Sequence, residues 1–236
     1  MKHLSTIFTI IICSLSVQAT LAEEGWHFGP TIGYENTTVK LKSGGDQVNY
    51  DNLSGFNIGG LAEYRPLDWL GFESGIEFVM NGYWSKGFYQ SKTNPNVRGN
   101  SELKTNLYYL MFPLYVEGLI PVSDNFSINI ECGPEFHVGL DSRTSLTVHL
   151  AEGGQDYAES WYKGVFGESL ERFNCTIHLA GGIQYAGFKL MAGYNFGVYN
   201  MFLEGGSTIL DPEYKIDKKS DSFLLSGFVI NLSYLF

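Results

Sequence analysis

A chain of 236 residues with 28 glycines and seven prolines, 44% hydrophobic and 15% aromatic, is long enough for one domain. Its 25 acidic against 15 basic side chains give a formal net charge of −10, with no basic stripe to displace counterions, which excludes nucleic acid as a partner. High glycine together with high aromatic content suits tightly curved strands flanked by aromatic girdles.

Residues 1–22 read as a secretory signal. Lys2 and His3 make a polar start, Ile7 to Val17 an apolar stretch, and Val17-Gln18-Ala19 or Thr20-Leu21-Ala22 offers the small residues of a cleavage site. The apolar run is shorter than the ~20 residues of a spanning helix. Cys13 sits mid-stretch behind Ile10-Ile11-Ile12, which argues against a lipid-anchored cysteine. Cleavage removes only Lys2 among charged side chains and leaves residues 23–236 as the mature domain.

Eight alternating segments follow, each near the ~9–11 residues of a tilted membrane strand. The first, Trp26 to about Thr37, turns Trp26, Phe28, Ile32 and Tyr34 to one face, and the second, Gly55 to Arg65, does so with Phe56, Ile58, Ala62 and Tyr64. The third, Trp69 to Tyr83, sets Leu70, Phe72, Ile76 and Phe78 opposite Glu73, Gly75 and Glu77; the fourth runs from Thr105 to Gly118. In the fifth, Phe126, Ile128, Ile130, Cys132, Pro134, Phe136, Val138 and Leu140 alternate with Ser127, Asn129, Glu131, Gly133, Glu135 and His137. The sixth (Phe173 to Tyr185) and seventh (Phe188 to Phe202) are joined by Ala186-Gly187. The eighth, Ser222 to Phe236, alternates to its last residue, and a strand ending on an aromatic is what barrel closure and recognition by the barrel-assembly machinery ask for. Cys132 and Cys175 fall on apolar faces, so free thiols are expected.

Connections after the second, fourth and sixth segments are short. Those after the first, third, fifth and seventh are long and polar, around Lys40–Ser54, Trp84–Lys104, Ser142–Arg172 and Leu203–Asp221. After Gly153-Gly154, the run Asp156 to Arg172 is expected to be helical and to cover the mouth, although Gly164 and Gly167 oppose a helix. The expectation is an all-β, eight-stranded antiparallel up-and-down transmembrane β-barrel. It is monomeric, with both termini in the periplasm and lipid and lipopolysaccharide around it.

Several stretches resemble the PorT-like outer-membrane β-barrel family, small barrels of the "porin family". They are Phe28-Gly29-Pro30-Thr31-Ile32-Gly33-Tyr34, Gly60-Leu61-Ala62-Glu63-Tyr64-Arg65-Pro66, Gly75-Ile76-Glu77-Phe78 with Asn81-Gly82, Tyr109-Leu110-Met111-Phe112-Pro113-Leu114-Tyr115, and Glu131-Cys132-Gly133-Pro134. They span nearly the whole mature chain in order. The seventh segment departs from the family, which often has an arginine before a tyrosine where this chain has Gly193-Tyr194. An interior partner for Glu77 is then missing or comes from elsewhere. The resemblance implies the fold, the outer membrane and, through some relatives, an accessory role in secretion.

An eight-stranded barrel is just wide enough for side chains to fill it. Parity turns Glu35, Glu63, Glu73, Glu77, Glu117, Glu131 and Glu135 inward against Arg65 and Lys189, with His27, His137 and His178 as titratable partners. Buried carboxylates must pair, reach water at a mouth or hold a proton. The set Glu73, Glu77, Glu131, Glu135, His137, His178 and Lys189 reads as a polar plug, so the barrel is expected not to conduct. The alternatives are a narrow porin-like channel or a cation or proton site, although nothing in the spacing calls for a metal or cofactor. A lipid-modifying hydrolase would need a nucleophile with an orienting partner, for which only Asp141, Ser145 and His149 share a face. Long loops carrying Trp84, Tyr89, Trp161 and Tyr162 suit a protein or glycan partner. The expected role is structural, or in binding and assembly, rather than enzymatic.

Overall fold

The computed structural model describes residues 24–43, 46–90, 98–150, 157–206 and 215–236, with backbone alone at 43, 46–49, 88–90, 150 and 157–163. The secretory signal expected at 1–22 lies outside the described residues. Among the described residues ten strands form: β1 (Gly25–Ser43), β2 (Asp46–Asn49), β3 (Asp51–Leu67), β4 (Leu70–Gln90), β5 (Arg98–Ser123), β6 (Phe126–Leu150), β7 (Tyr157–Lys163), β8 (Phe173–Tyr185), β9 (Phe188–Gly197) and β10 (Ser222–Tyr234).

Eight of them close a ring in the order β10-β9-β8-β6-β5-β4-β3-β1, sealed by antiparallel pairing of β1 with β10 from Thr31↔Ser233 to Lys42↔Ser222. Phe28 and Phe236 exchange backbone hydrogen bonds at 3.0 and 3.1 Å beyond that ladder. The short strands β2 and β7 pair with the upper parts of β1 and β6 and take no part in closure. At one rim the hairpins turn through Asp68–Trp69, Asp124–Asn125 and Ala186–Gly187. The last turn needs positive φ at both positions, and Ala186 (47°) and Gly187 (86°) supply it, as the twist of a two-residue hairpin demands.

Parity decides what faces where. Ile32, Ile58, Ile76, Ile130, Leu179, Leu232 and their row-mates stand exposed on the outer wall, an arrangement only lipid makes favourable. Trp26, Trp69, Tyr185, Phe188 and Phe236 ring the short-turn rim, and Phe56, Phe78 and Tyr108 form the opposite girdle with ring centroids 6.1 and 6.2 Å apart. Cys132 and Cys175 are free thiols on this outer wall.

Four expectations are corrected. The seventh segment, here β9, stops at Gly197, short of Phe202, and the segment Lys40–Ser54 is largely paired, through the end of β1, β2 and the start of β3. The segment Trp84–Lys104 is not a loop throughout, because β4 runs to Gln90 and β5 begins at Arg98. Their ladder continues from Trp84↔Lys104 to Gln90↔Arg98. Together with β6 it stands beyond the bilayer, at more than twice the ~9–11 residues a spanning strand needs. Nor is the run into Arg172 a helix. Tyr157–Lys163 pairs with β6, and positive φ at Gly164 (94°) and Gly167 (86°) turns the chain inward instead.

Candidate functional site

The interior has two storeys. The lower one, nearer the short turns, is polar. Period-two alternation brings Glu73 and Glu77 from β4, Glu117 from β5, Glu131, Glu135 and His137 from β6, His178 from β8 and Lys189 from β9 to the lumen, each at most 4% exposed. The Lys189 ammonium lies 2.9 Å from Glu73 Oε2, Glu117 Oε1 and Glu131 Oε2. The Glu131 contact is an ion pair without hydrogen-bond geometry. In the ring β9 stands four strands from β4 by either route, so Lys189 and Glu73 reach across the full lumen. Arg65 on β3 does the same: it is ion-paired with Glu63, and its Nη2 donates to Gln184 Oε1 at 2.8 Å on the opposed β8.

Beside this lies an imidazole bridge. Glu131 and Glu135 are four residues apart on an extended strand, roughly 13 Å. His178 spans the gap, with Nε2 3.1 Å from Glu131 Oε1 and Nδ1 3.4 Å from Glu135 Oε1 and 2.6 Å from Asn195 Oδ1. Its ring stacks on Tyr115 (4.6 Å), whose hydroxyl donates to Glu135 at 2.6 Å, while Thr176 donates to the other Glu135 oxygen at 2.5 Å. His137 Nε2 lies 3.2 Å from Thr176 Oγ1 and 3.4 Å from Glu135 Oε2. Glu77 Oε2 has no hydrogen-bond partner among the described residues.

Among the described residues, Glu63, Glu73 and Glu117 bring three carboxylate oxygens within 4.8 Å of one another, the spacing of a cation cage. Arg65 already engages Glu63, and Lys189 engages Glu73 and Glu117. Two cations of the chain itself thus already lie against all three carboxylates, an arrangement that suits a shared ion-pair network rather than a metal centre.

The upper storey is apolar. Val39, Val79, Tyr83, Leu107, Tyr109, Met111, Phe223 and Leu225 line the wall there, and Val165, Phe166, Leu170, Met201, Phe202 and Ile216 enter from the loops to pack against them. Phe166 lies so close over Gly139 that a Cβ there would come within 2.7 Å of its ring. Backbone bonds from Gly139 to Arg172 (2.6 Å) and from Leu203 to Ser169 (2.9 Å) fasten this cap. Outside it, Glu171 accepts from Lys218 Nζ at 2.8 Å and from the Tyr199 hydroxyl. Burial raises the Glu171 carboxyl, but Lys218 and Tyr199 outweigh it and hold the group below the usual carboxylate range.

The remaining candidates are scattered. Trp84 lies on the outer face of β4, and the side chains of Tyr89, Trp161 and Tyr162 lie outside the described residues. Ser145 and His149 point outward on β6 four residues apart, again roughly 13 Å, which brings no nucleophile and base together. What parity could not supply is the cap, since the residues that build it come from segments with no strand period.

The pattern of the outer membrane protein beta-barrel domain family matches residues 17–203. No curated protein matches the chain. Among solved structures, the chain is similar to Ail, the attachment invasion locus protein of Yersinia pestis, at 13% identity over 91% of this chain and 100% of that one, with a TM-score of 0.38. It is likewise similar to Neisserial surface protein A (12%, 88% and 97%, TM-score 0.37). A third is the outer membrane protease OmpT from Escherichia coli (14%, 94% and 100%, TM-score 0.40). A ring of eight strands with an apolar outer wall and a polar lower lumen, matched by that family over most of its length, makes this chain a member of the outer membrane protein beta-barrel domain family.

Proposed function

We infer that the protein is a non-conducting outer-membrane barrel that works through its exterior, as a structural element or as a binding and assembly partner. The observation that carries this reading is the filled lumen: ion pairs cross the lower storey and an apolar cap occupies the upper one. An ion on a path through it would have to displace both. The test is planar-bilayer conductance of the purified full chain. No steady current is expected. A current that disappears in Glu131→Gln/Glu135→Gln would establish the narrow channel instead.

With both termini periplasmic, the tall β4–β5–β6 sheet and the loops beside it face the cell exterior and offer the surface for a partner. Lipopolysaccharide surrounds the wall, the assembly machinery reads the strand ending at Phe236, and the barrel acts as a monomer without enzymatic activity. The likeness of its motifs to the PorT-like family favours an accessory role in secretion. Gentle-detergent co-purification from the native membrane tests this: a stoichiometric protein partner lost on replacing Trp161 supports assembly, and recovery of the barrel with lipid alone argues for a stand-alone structural role.

A further inference from the structure

The outer wall above the lipid band carries a concavity that the interior chemistry does not use. It encloses about 450 Å³ and is lined by Asn52 of β3, Trp84 of β4, Glu102 and Lys104 of β5, and Ser145 and Thr147 of β6. Its origin is local. The β3–β4 register slips between Asn52 and Phe56, and a slip of this kind bends the bulged strand and leaves a hollow in the sheet. Trp84, Lys104 and Ser145 fall in one cross-strand row, with Lys86, Glu102 and Thr147 in the next. The hollow is thus floored by a sheet and ringed by side chains from successive strands. Its volume lies within the roughly 300–1,000 Å³ of small-molecule sites.

The lining chemistry selects the ligand. Trp84 is half-buried, and the Lys86 ammonium holds its indole from 4.2 Å, giving a rigid apolar platform. Around it stand a donor (Lys104), the Asn52 amide, whose nitrogen also donates to Asn36 Oδ1 at 2.6 Å, an acceptor (Glu102) and hydroxyls that do both (Ser145, Thr147). Lys104 and Lys86 are matched by Glu102 and by Asp51, which stands in register opposite Trp84, so the hollow carries no net charge and favours neither an anion nor a cation. A purely apolar ligand would strand the polar groups. An uncharged pyranose has an apolar ring face for the indole and hydroxyls that both give and accept hydrogen bonds. We propose that this hollow is a binding site for a neutral pyranose sugar. It lies beyond the Phe56–Phe78–Tyr108 girdle, in the zone of glycolipid sugars and within reach of free glycans.

The test uses the full chain in a detergent with no sugar headgroup, followed by calorimetry and by tryptophan fluorescence. One arm titrates the neutral outer-core oligosaccharide, freed of acidic sugars and phosphate, from the organism's own lipopolysaccharide; the other titrates a panel of neutral mono- and disaccharides. Saturable binding is expected in at least one arm, weakened about tenfold or more by Trp84→Ala and partly kept by Trp84→Phe. Glu102→Gln is expected to weaken it less, and Trp26→Ala, on the opposite girdle, to leave it unchanged. Binding confined to the first arm identifies the membrane's own glycolipid, and binding in the second a free glycan. Heat-dependent gel migration verifies that each variant is folded. The proposal fails if neither arm saturates by ~10 mM, near the weak end of specific affinity, or if folded Trp84→Ala binds like the parent.

Discussion

Lys189 meets three carboxylates from three strands with one ammonium, so its removal leaves three buried carboxyls without their counter-ion, to be protonated or left uncompensated. Breaking a buried pair on one side costs about 3–5 kcal/mol, far more than deleting an exposed one. Lys189→Met is therefore expected to lower stability by at least that much in urea unfolding of the barrel reconstituted in vesicles. Adding Glu73→Gln and Glu117→Gln should return most of the loss. A loss under ~1 kcal/mol for Lys189→Met alone would mean the network contributes nothing. The Glu171 carboxyl sits outside the membrane and is held below its usual range, so the unfolded state binds its proton first as the pH falls. Its contact with Lys218 and Tyr199 is complete above the ordinary carboxylate range and is lost as the pH drops through its own lower value. Limited proteolysis of the cap should accordingly accelerate at acid pH in the parent, and Glu171→Gln should flatten that dependence.

At the scale of the element, the cap is held by packing. Phe166 is 6% exposed and Leu170 2%, and truncating such an aromatic costs about 3–5 kcal/mol where the surroundings cannot collapse. Phe166→Ala is expected to free the 164–172 segment for hydrogen exchange while β8, β9 and β10 stay protected. Gly139→Val should give the same pattern, because its side chain would occupy the space of the Phe166 ring. Uniform exchange across the strands would show that cap and wall unfold as one. The same elements show why part of the fold was legible in the sequence and part was not. Ile128 to Leu140 alternate against Asn129 to His137, and that parity alone places Glu131, Glu135 and His137 inside. Above the bilayer, Ser85, Lys86, Ser101 and Glu102 are polar on both faces, so a paired strand there has the composition of a loop. The inward turn at Gly164 and Gly167 depends on Phe166 finding Gly139, a contact no local pattern encodes. Which carboxylates meet Lys189 was equally hidden, since it follows from how the ring is staggered at closure.

At the scale of the whole molecule, the acidic excess lies in the lumen and the outer surface is mixed in sign. Seven glutamates face the lumen against Arg65 and Lys189, while beyond the lipid band Lys40, Lys86, Lys104, Arg143 and Arg172 are interspersed with Asp51, Glu102, Asp141 and Glu168. The net charge of −10 is thus a sum of two unlike surfaces, and it describes neither the lumen nor the outer face beyond the lipid band. Because Lys189 and Glu73 stand on opposed strands, no single hairpin contains both, and neither do Arg65 and Gln184. A half-assembled sheet therefore gains nothing from these contacts. They arise together when β1 meets β10, and they must all rupture before the seam can part. Interactions absent until the last step act on the rate of opening rather than on the rate of assembly. The lumen network is in this sense a latch: a barrel without Lys189 would insert at the ordinary pace and then, once shut, come undone sooner.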